Sequence, residues 1–374
     1  MDSYVNTPAA LSALIAAIRR EPRVAVDTEA ASFHRYRDRI YLVQVSTPDR
    51  ATLIDPLALA DLSPLGALLA DRNVEKTFHD ADYDLRVLDR DYAFRAARLF
   101  DTRIAAQLAG EPAIGLAALL ERYLGLKLAK EHQKADWSQR PLPPAMLAYA
   151  AADVRHLLAL RDALEKRLRE LGRLEWAAEE FSRLEALRWT GPAEGDTDGY
   201  LRAKGVKGLA PRSLAAFREL HRWRETVAAR EDKAPFRVIG NDALLATSRA
   251  LPASLAELTR IKDLPASLAR RHGPALLDAV ARARALPERD LPRLERAPRT
   301  PRDPHFEQRV EQLKTARNRV AAQLGLDLGV LCGRTTLEAV AQRRPTNRAG
   351  LAQVGELRRW QIEVLGDALL EALR

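Results

Sequence analysis

Two acids stand two apart in Val24-Ala25-Val26-Asp27-Thr28-Glu29, and strand alternation turns both carboxylates to the face opposite Val24 and Val26. Side by side they repel unless a cation lies between them. Asp-x-Glu alone recurs by chance as a solvated strand edge, but this pair closes a run that reads as buried, where an unpaired acid is costly. Three more acids, Asp80, Asp82 and Asp84, follow Thr77-Phe78-His79 in the turn and first turns of a helix. The dipole at a helix start accounts for one of them, not for all three. Further on, Tyr149-Ala150-Ala151-Ala152-Asp153 sets a phenol and a carboxylate four apart on one helix face. On spacing alone, an ordinary Tyr-to-Asp hydrogen bond explains that pair as well as function does. Acids gathered from a strand, a strand-to-helix turn and a later helix supply what oxygen-ligated divalent cations need: hard oxygens, several charges and no sulfur. Such a site suits phosphodiester hydrolysis with two cations about 4 Å apart, one generating the attacking hydroxide and the other stabilising the leaving oxygen.

The elements that must position these residues follow from periodicity. Thr7 as N-cap, Pro8 at the first helical position and Leu11, Leu14, Ile15 and Ile18 on one face predict an opening helix. Strand-like runs follow at Val24 to Glu29, Arg39 to Ser46 and Ala51 to Ile54, with connections short enough to predict antiparallel neighbours. Helix and strand then alternate: a helix at Ser63 to Ala70, a strand at Val74 to Phe78, a helix from Ala81, a strand near Leu99 and a helix from Asp101. From Gly115 onward helical periodicity dominates, and Pro144 to Leu171 reads as one long amphipathic helix.

Glycines and Pro192 interrupt the pattern at Thr190 to Gly208, and five prolines do so at Leu286 to Pro304. These breaks delimit an α/β domain over residues 1–190 and two all-helical domains over 209–288 and 304–374. The helical segments resemble each other. Val227-Ala228-Ala229-Arg230 recurs as Val320-Ala321-Ala322-Gln323, and Gly273-Pro274-Ala275-Leu276-Leu277 as Gly366-Asp367-Ala368-Leu369-Leu370, both at an offset of 93 residues. A shared gapless offset points to duplication.

Composition sets the outer bounds. A chain of 374 residues with 47% hydrophobic and 30% charged residues is a multidomain globular protein. The apolar stretches are too short to span a bilayer, and Met1-Asp2-Ser3 does not begin a secretory signal, so a cytoplasmic location is expected. Cys332 is the only cysteine, which excludes an internal disulfide and a thiolate metal cluster. Residues 1–190 hold 27 Lys+Arg against 28 Asp+Glu, whereas 191–374 hold 33 against 23. The basic excess of the helical half hints at a polyanion partner.

Val26-Asp27-Thr28-Glu29, His79 with Asp84 five residues on, and Tyr149-x-x-x-Asp153 together resemble the DEDD exonuclease superfamily in its tyrosine subtype, and within it the ribonuclease D family. Phe100-Asp101-Thr102 and Asp136-Trp137-Ser138-Gln139-Arg140-Pro141-Leu142 are similar to that family's intervening signatures. Leu220-His221-Arg222-Trp223-Arg224, Ala229-Arg230, Pro235 and Leu244 resemble the helicase-and-ribonuclease-D C-terminal (HRDC) module, whose Trp-Arg pair the second copy lacks. The resemblance implies a ribonuclease-H-like mixed sheet followed by two HRDC-like domains. It implies two divalent cations, magnesium or manganese, with Asp27, Glu29 and Asp153 on the first, Asp27 bridging, and Asp84 on the second. Tyr149 would orient the attacking water, and His79, Gln44 and Lys130 would contact substrate. The implied activity releases nucleoside 5′-monophosphates from RNA 3′ ends, notably tRNA precursors, with no membrane or obligate protein partner. A DNA exonuclease and a non-catalytic nucleic-acid-binding protein are the alternatives, since ribose selection is not written in these motifs.

Overall fold

The computed structural model describes residues 3–128, 132–191, 198–294 and 303–374. Contacts divide the chain into two compact units: residues 1–30, 40–189 and 300–374 form one, and residues 31–39 and 190–299 the other.

The first unit is built on a six-stranded sheet in the order β1-β4-β3-β2-β5-β6, from β1 (Ser3–Val5), β2 (Arg23–Ala30), β3 (Ile40–Ser46), β4 (Ala51–Ile54), β5 (Glu75–Phe78) and β6 (Leu99–Asp101). β2, β3 and β4 run antiparallel, and β5 and β6 continue from β2 in parallel. The three-residue β1, parallel to β4, was not anticipated, because three residues are too few to display alternation. The first helix, α1 (Pro8–Ile18), has Thr7 Oγ1 accepting from the Ala10 amide and buries Leu11, Leu14, Ile15 and Ile18. The crossovers carry α2 (Ser63–Ala70) and α3 (Asp82–Tyr92), and β6 leads into α4 (Thr102–Ala109) and α5 (Leu116–Leu124).

In place of one helix over Pro144 to Leu171 there are two, α6 (Pro144–Arg155) and α7 (Leu157–Glu170), because the backbone leaves helical geometry at His156 (φ −106°, ψ 4°). The break lets α6 lie over β2, β3 and β4 while α7 turns to meet β5 and α4, which follows the twist of the sheet. A last helix, α8 (Leu174–Glu185), packs on β6 and α4.

In the second unit, α9 (Pro211–Glu231), α10 (Pro235–Val238), α11 (Asn241–Ala250), α12 (Leu255–Leu258) and α13 (Ala266–Ala285) enclose Phe217, Leu220, Leu244, Leu258 and Leu276. Of the glycine-rich stretch at 190–208, residues 192–197 lie outside the described residues, while Tyr200 and Val206 are buried in this core. The loop at 31–39 belongs here too, with Tyr36 packed against the same core and the Ala234 amide donating to His34 O at 3.3 Å.

Within the first unit, α14 (Phe306–Leu324), α15 (Leu328–Leu331), α16 (Arg334–Arg343), α17 (Arg348–Ala352) and α18 (Arg359–Ala372) repeat the helical module. Helices α15 to α18 each begin 93 residues after α10 to α13, and the left-handed Leu251 (φ 46°) recurs as Arg344 (φ 48°). This copy is seated on α8. Trp360 stacks on Trp176 at 4.9 Å, and its indole donates to Glu180 at 2.9 Å. The Glu179 carboxylate accepts from the Arg359 and Trp360 amides at 2.8 and 3.1 Å, where a helix start favours negative charge.

Candidate active site

The alternation of β2 places Asp27 and Glu29 on one face, and α6 brings Asp153 over that face, one turn beyond Tyr149. Carboxylate oxygens of Asp27, Glu29 and Asp153 lie within 4.8 Å of one another. Asp84 stands outside this trio on the first turn of α3, buried, and accepts a hydrogen bond from the Thr28 hydroxyl. Of the neighbouring acids, Asp82 pairs with Arg86 and Asp80 with Arg103, so Asp84 alone of the three turns inward.

The electrostatics are those of an uncompensated negative cluster. Burial, with the charges of Asp84 and Asp153 added, holds the Asp27 carboxyl well above its usual range. Burial and the charges of Asp27, Asp153 and Asp84 do the same to Glu29. Burial also pushes Asp153 up to about 6 and Asp84 up to about 7. Among the described residues no lysine or arginine pairs with Asp27, Glu29 or Asp153, whereas most acids on this molecule's surface have one. Four converging carboxylates with no cation of the protein's own fit divalent ions as the missing counter-charge.

Tyr149 hydrogen-bonds the Asp153 carboxylate; burial and that negative charge raise its phenol well above the ordinary 10. The His132 and Trp137 rings flank it at 5.9 and 6.2 Å. A cleft of about 500 Å³ opens along this edge, lined by Asp27, Tyr149, Asp153, His79, Arg103 and the amino end of α5. The His79 ring is fixed by its Nδ1, 2.9 Å from Thr102 Oγ1, and that hydroxyl donates to Phe78 O at 3.0 Å. The hydroxyl must therefore accept from Nδ1–H, which leaves Nε2 as the ring's acceptor. Burial pushes the imidazole down to about 4, so it is neutral.

Gln44 pairs in register with Asp27 across β2 and β3 and is fully enclosed, with both amide atoms lacking a hydrogen-bond partner among the described residues. The substrate contact expected of it is therefore corrected: enclosure leaves it beside the acids and out of a substrate's reach. Lys130 lies outside the described residues.

Two supporting roles were not anticipated. Asp101 caps α4 by accepting from the Arg103 and Ile104 amides, and it also accepts from those of Asp80 and Ala81, which ties the turn carrying Asp84 to β6. Arg140 forks onto Asp55 with two bonds of 2.7 Å and donates to the carbonyls of Tyr41 at 2.6 Å and Trp137 at 2.9 Å. That clamp sets the segment holding Trp137, and so the wall behind Tyr149. Arg140 lies in the Asp136 to Leu142 signature, but no local spacing discloses a partner 85 residues away.

A family model described as a 3′–5′ exonuclease matches residues 3–169, and the HRDC model matches twice, at 213–280 and 306–373. Ribonuclease D of Gluconacetobacter diazotrophicus is 35% identical over 301 residues, covering 80% of this chain and 76% of its own. Ribonuclease D of Pseudomonas paraeruginosa is 32% identical, with 99% and 97% covered. The crystal structure of Escherichia coli RNase D, described as an exoribonuclease involved in structured RNA processing, is 28% identical, covers 99% of this chain and 98% of its own, and superposes with a TM-score of 0.72. Carrying a 3′–5′ exonuclease domain followed by two HRDC modules, the chain belongs to the ribonuclease D family of exoribonucleases.

Proposed function

We propose that this exoribonuclease trims the 3′ ends of structured RNA, tRNA precursors among them, by two-metal hydrolysis that releases nucleoside 5′-monophosphates. The observation that carries the reading is the convergence of Asp27, Glu29 and Asp153, with Asp84 beside them, unneutralised by any described basic side chain. Asp27, Glu29 and Asp153 would hold one cation, and Asp27 with Asp84 the second. Such ions, when bound, lower the pKa of a water and neutralise charge at the phosphoryl oxygens.

The protein's own groups do the positioning. With its phenol held above the ordinary range, Tyr149 stays protonated across working pH. It is therefore a hydrogen-bond donor to Asp153 and not a base. Its oxygen lone pair remains available to accept from the attacking water and turn that water's lone pair toward phosphorus. Neutral His79 offers Nε2 to a sugar hydroxyl of the terminal nucleotide, and the start of α5 lines the same cleft, where an anion is favoured.

The basic charge of residues 191–374 supports a grip on the body of a folded RNA that weakens steeply with salt. Deleting residues 209–374 is a poor probe of that grip, because it also strips Trp360 from Trp176. The direct test is a time course on 5′-labelled single-stranded RNA with magnesium or manganese. A ladder shrinking from the 3′ end, abolished in Asp27→Ala and slowed in Tyr149→Ala, is the expected result. No shortening with either metal would refute the reading.

A further inference from the structure

Phe33 and Phe236 are unusual among the large apolar side chains in being 49% and 54% exposed. Both lie in the second unit, with ring centroids 6.2 Å apart and planes at 79°. The pair is built, not incidental. The loop bearing Phe33 is pinned to the turn before α10, where the Asp232 carboxylate accepts from the Tyr36 amide and from Arg35, both at 3.3 Å, and Ala234 N donates to His34 O.

The helical module does not require the Phe236 ring. At the offset of 93, Phe236 and Arg237 correspond to Gly329 and Val330 in the second helical module, which forms the same helices without them. The unit that carries them is basic. Residues 31–39 and 190–299 contain 24 Lys+Arg against 15 Asp+Glu, a net of +9 that equals the net charge of the whole chain. Arg237, next to Phe236, is exposed and has no acidic partner among the described residues.

Exposed aromatic faces beside a cation suit unpaired nucleobases, since every base has a face to stack and every phosphate a charge to meet. We propose that Phe33 and Phe236, with Arg237 beside them, form a base-stacking platform for single-stranded RNA. The proposal rests on the nuclease reading above and adds the place where the unpaired RNA is held.

The test uses the full-length protein in EDTA, so that the strand is not consumed, with anisotropy of a 5′-fluorescent single-stranded RNA of about ten nucleotides. Phe33→Ala and Phe236→Ala should each weaken binding about 10-fold, Phe33→Trp should retain it, and Phe33→Leu should lose it despite staying apolar. An abasic strand of equal length should bind all four variants and the wild type alike. Circular dichroism checks that the variants are folded, as Gly329 of the second module leads one to expect for Phe236→Ala. Wild-type affinity in both alanine variants would overturn the platform, as would equal losses on the abasic strand. A self-association abolished by Phe236→Ala, with RNA affinity unchanged, would make the pair a protein contact and overturn it too. Failure of the wild type to shorten RNA with magnesium would count against the proposed function, while the anisotropy comparison would still decide the platform.

Discussion

The substitution Asp84→Asn should stabilise this protein when divalent ions are removed and weaken it when they are present. Asp84 is 6% exposed, and its carboxyl is pushed from its ordinary 3.8 to about 7, chiefly by burial. At about 1.4 kcal/mol per unit, keeping it ionised in the folded state costs at most about 4 kcal/mol at pH 8. Water reaching the half-buried Asp27 and Glu29 relieves part of this, and a realised 2 kcal/mol corresponds to about 4–8 °C in Tm. The sign with pH follows. A carboxyl whose folded pKa is raised binds its proton more tightly in the folded state than in the unfolded one. The metal-free wild type should therefore gain stability as pH falls from about 7 toward 4, with no further gain from this group below that. Asparagine keeps an oxygen to accept from Thr28 and has no proton to titrate, so the variant should melt higher in EDTA at pH 8 and lack that part of the pH dependence. Adding magnesium or manganese should raise the wild-type Tm by mass action and move the variant less, reversing the order. Differential scanning fluorimetry across pH 5 to 8, with EDTA or metal, reads all of this. An Asp84→Asn protein that melts no higher than wild type in EDTA at pH 8 would refute the argument that burial of an ionised Asp84 costs the metal-free fold stability.

Tyr149→Phe should lower kcat about 10- to 100-fold while leaving metal affinity by calorimetry near wild type, because in the proposed role the hydroxyl orients water and ligates nothing; unchanged kcat with weakened RNA binding would contradict that role. Arg140→Lys keeps the charge but loses the fork onto Asp55, and denaturant melts should show a loss of about 2–3 kcal/mol together with slower turnover. Trp360→Ala removes a ring that is 2% exposed and should cost about 3–5 kcal/mol locally, read as faster amide exchange in α8 and α18 while short RNA is still trimmed; exchange unchanged from wild type would mean the second module holds by other contacts.

Much of the nuclease frame was legible because its signals are local. Thr7 and Pro8 announce α1, alternation announces β2, and the spacing of Tyr149 and Asp153 fixes their shared face. Asp84 could be distinguished from Asp80 and Asp82 only weakly by spacing, whereas burial and ion pairing separate them at once. What stayed hidden depends on residues far apart in the chain. Arg140 meets Asp55, the loop at 31–39 joins the core around Phe217, and Trp360 returns to Trp176, and none of these partners has a mark in its own neighbourhood. The break at His156 was hidden for a related reason: both halves are apolar on one face, and only the twist of the sheet beneath shows that a single straight helix would miss it.

The stacking of Trp360 on Trp176 also sets an order of events on the ribosome. The two residues are 184 positions apart, so at about 5–20 residues per second roughly 10–40 s of synthesis separates them. All four site acids and Tyr149 are translated at the start of that interval, while the surface of α8 must wait for its cover. A newly made chain can therefore assemble the proposed site early yet carry a bare indole, with Glu179 and Glu180 left to water, until translation is nearly complete. In that interval an arrested or prematurely ended chain is exposed to aggregation while its nuclease site is already formed.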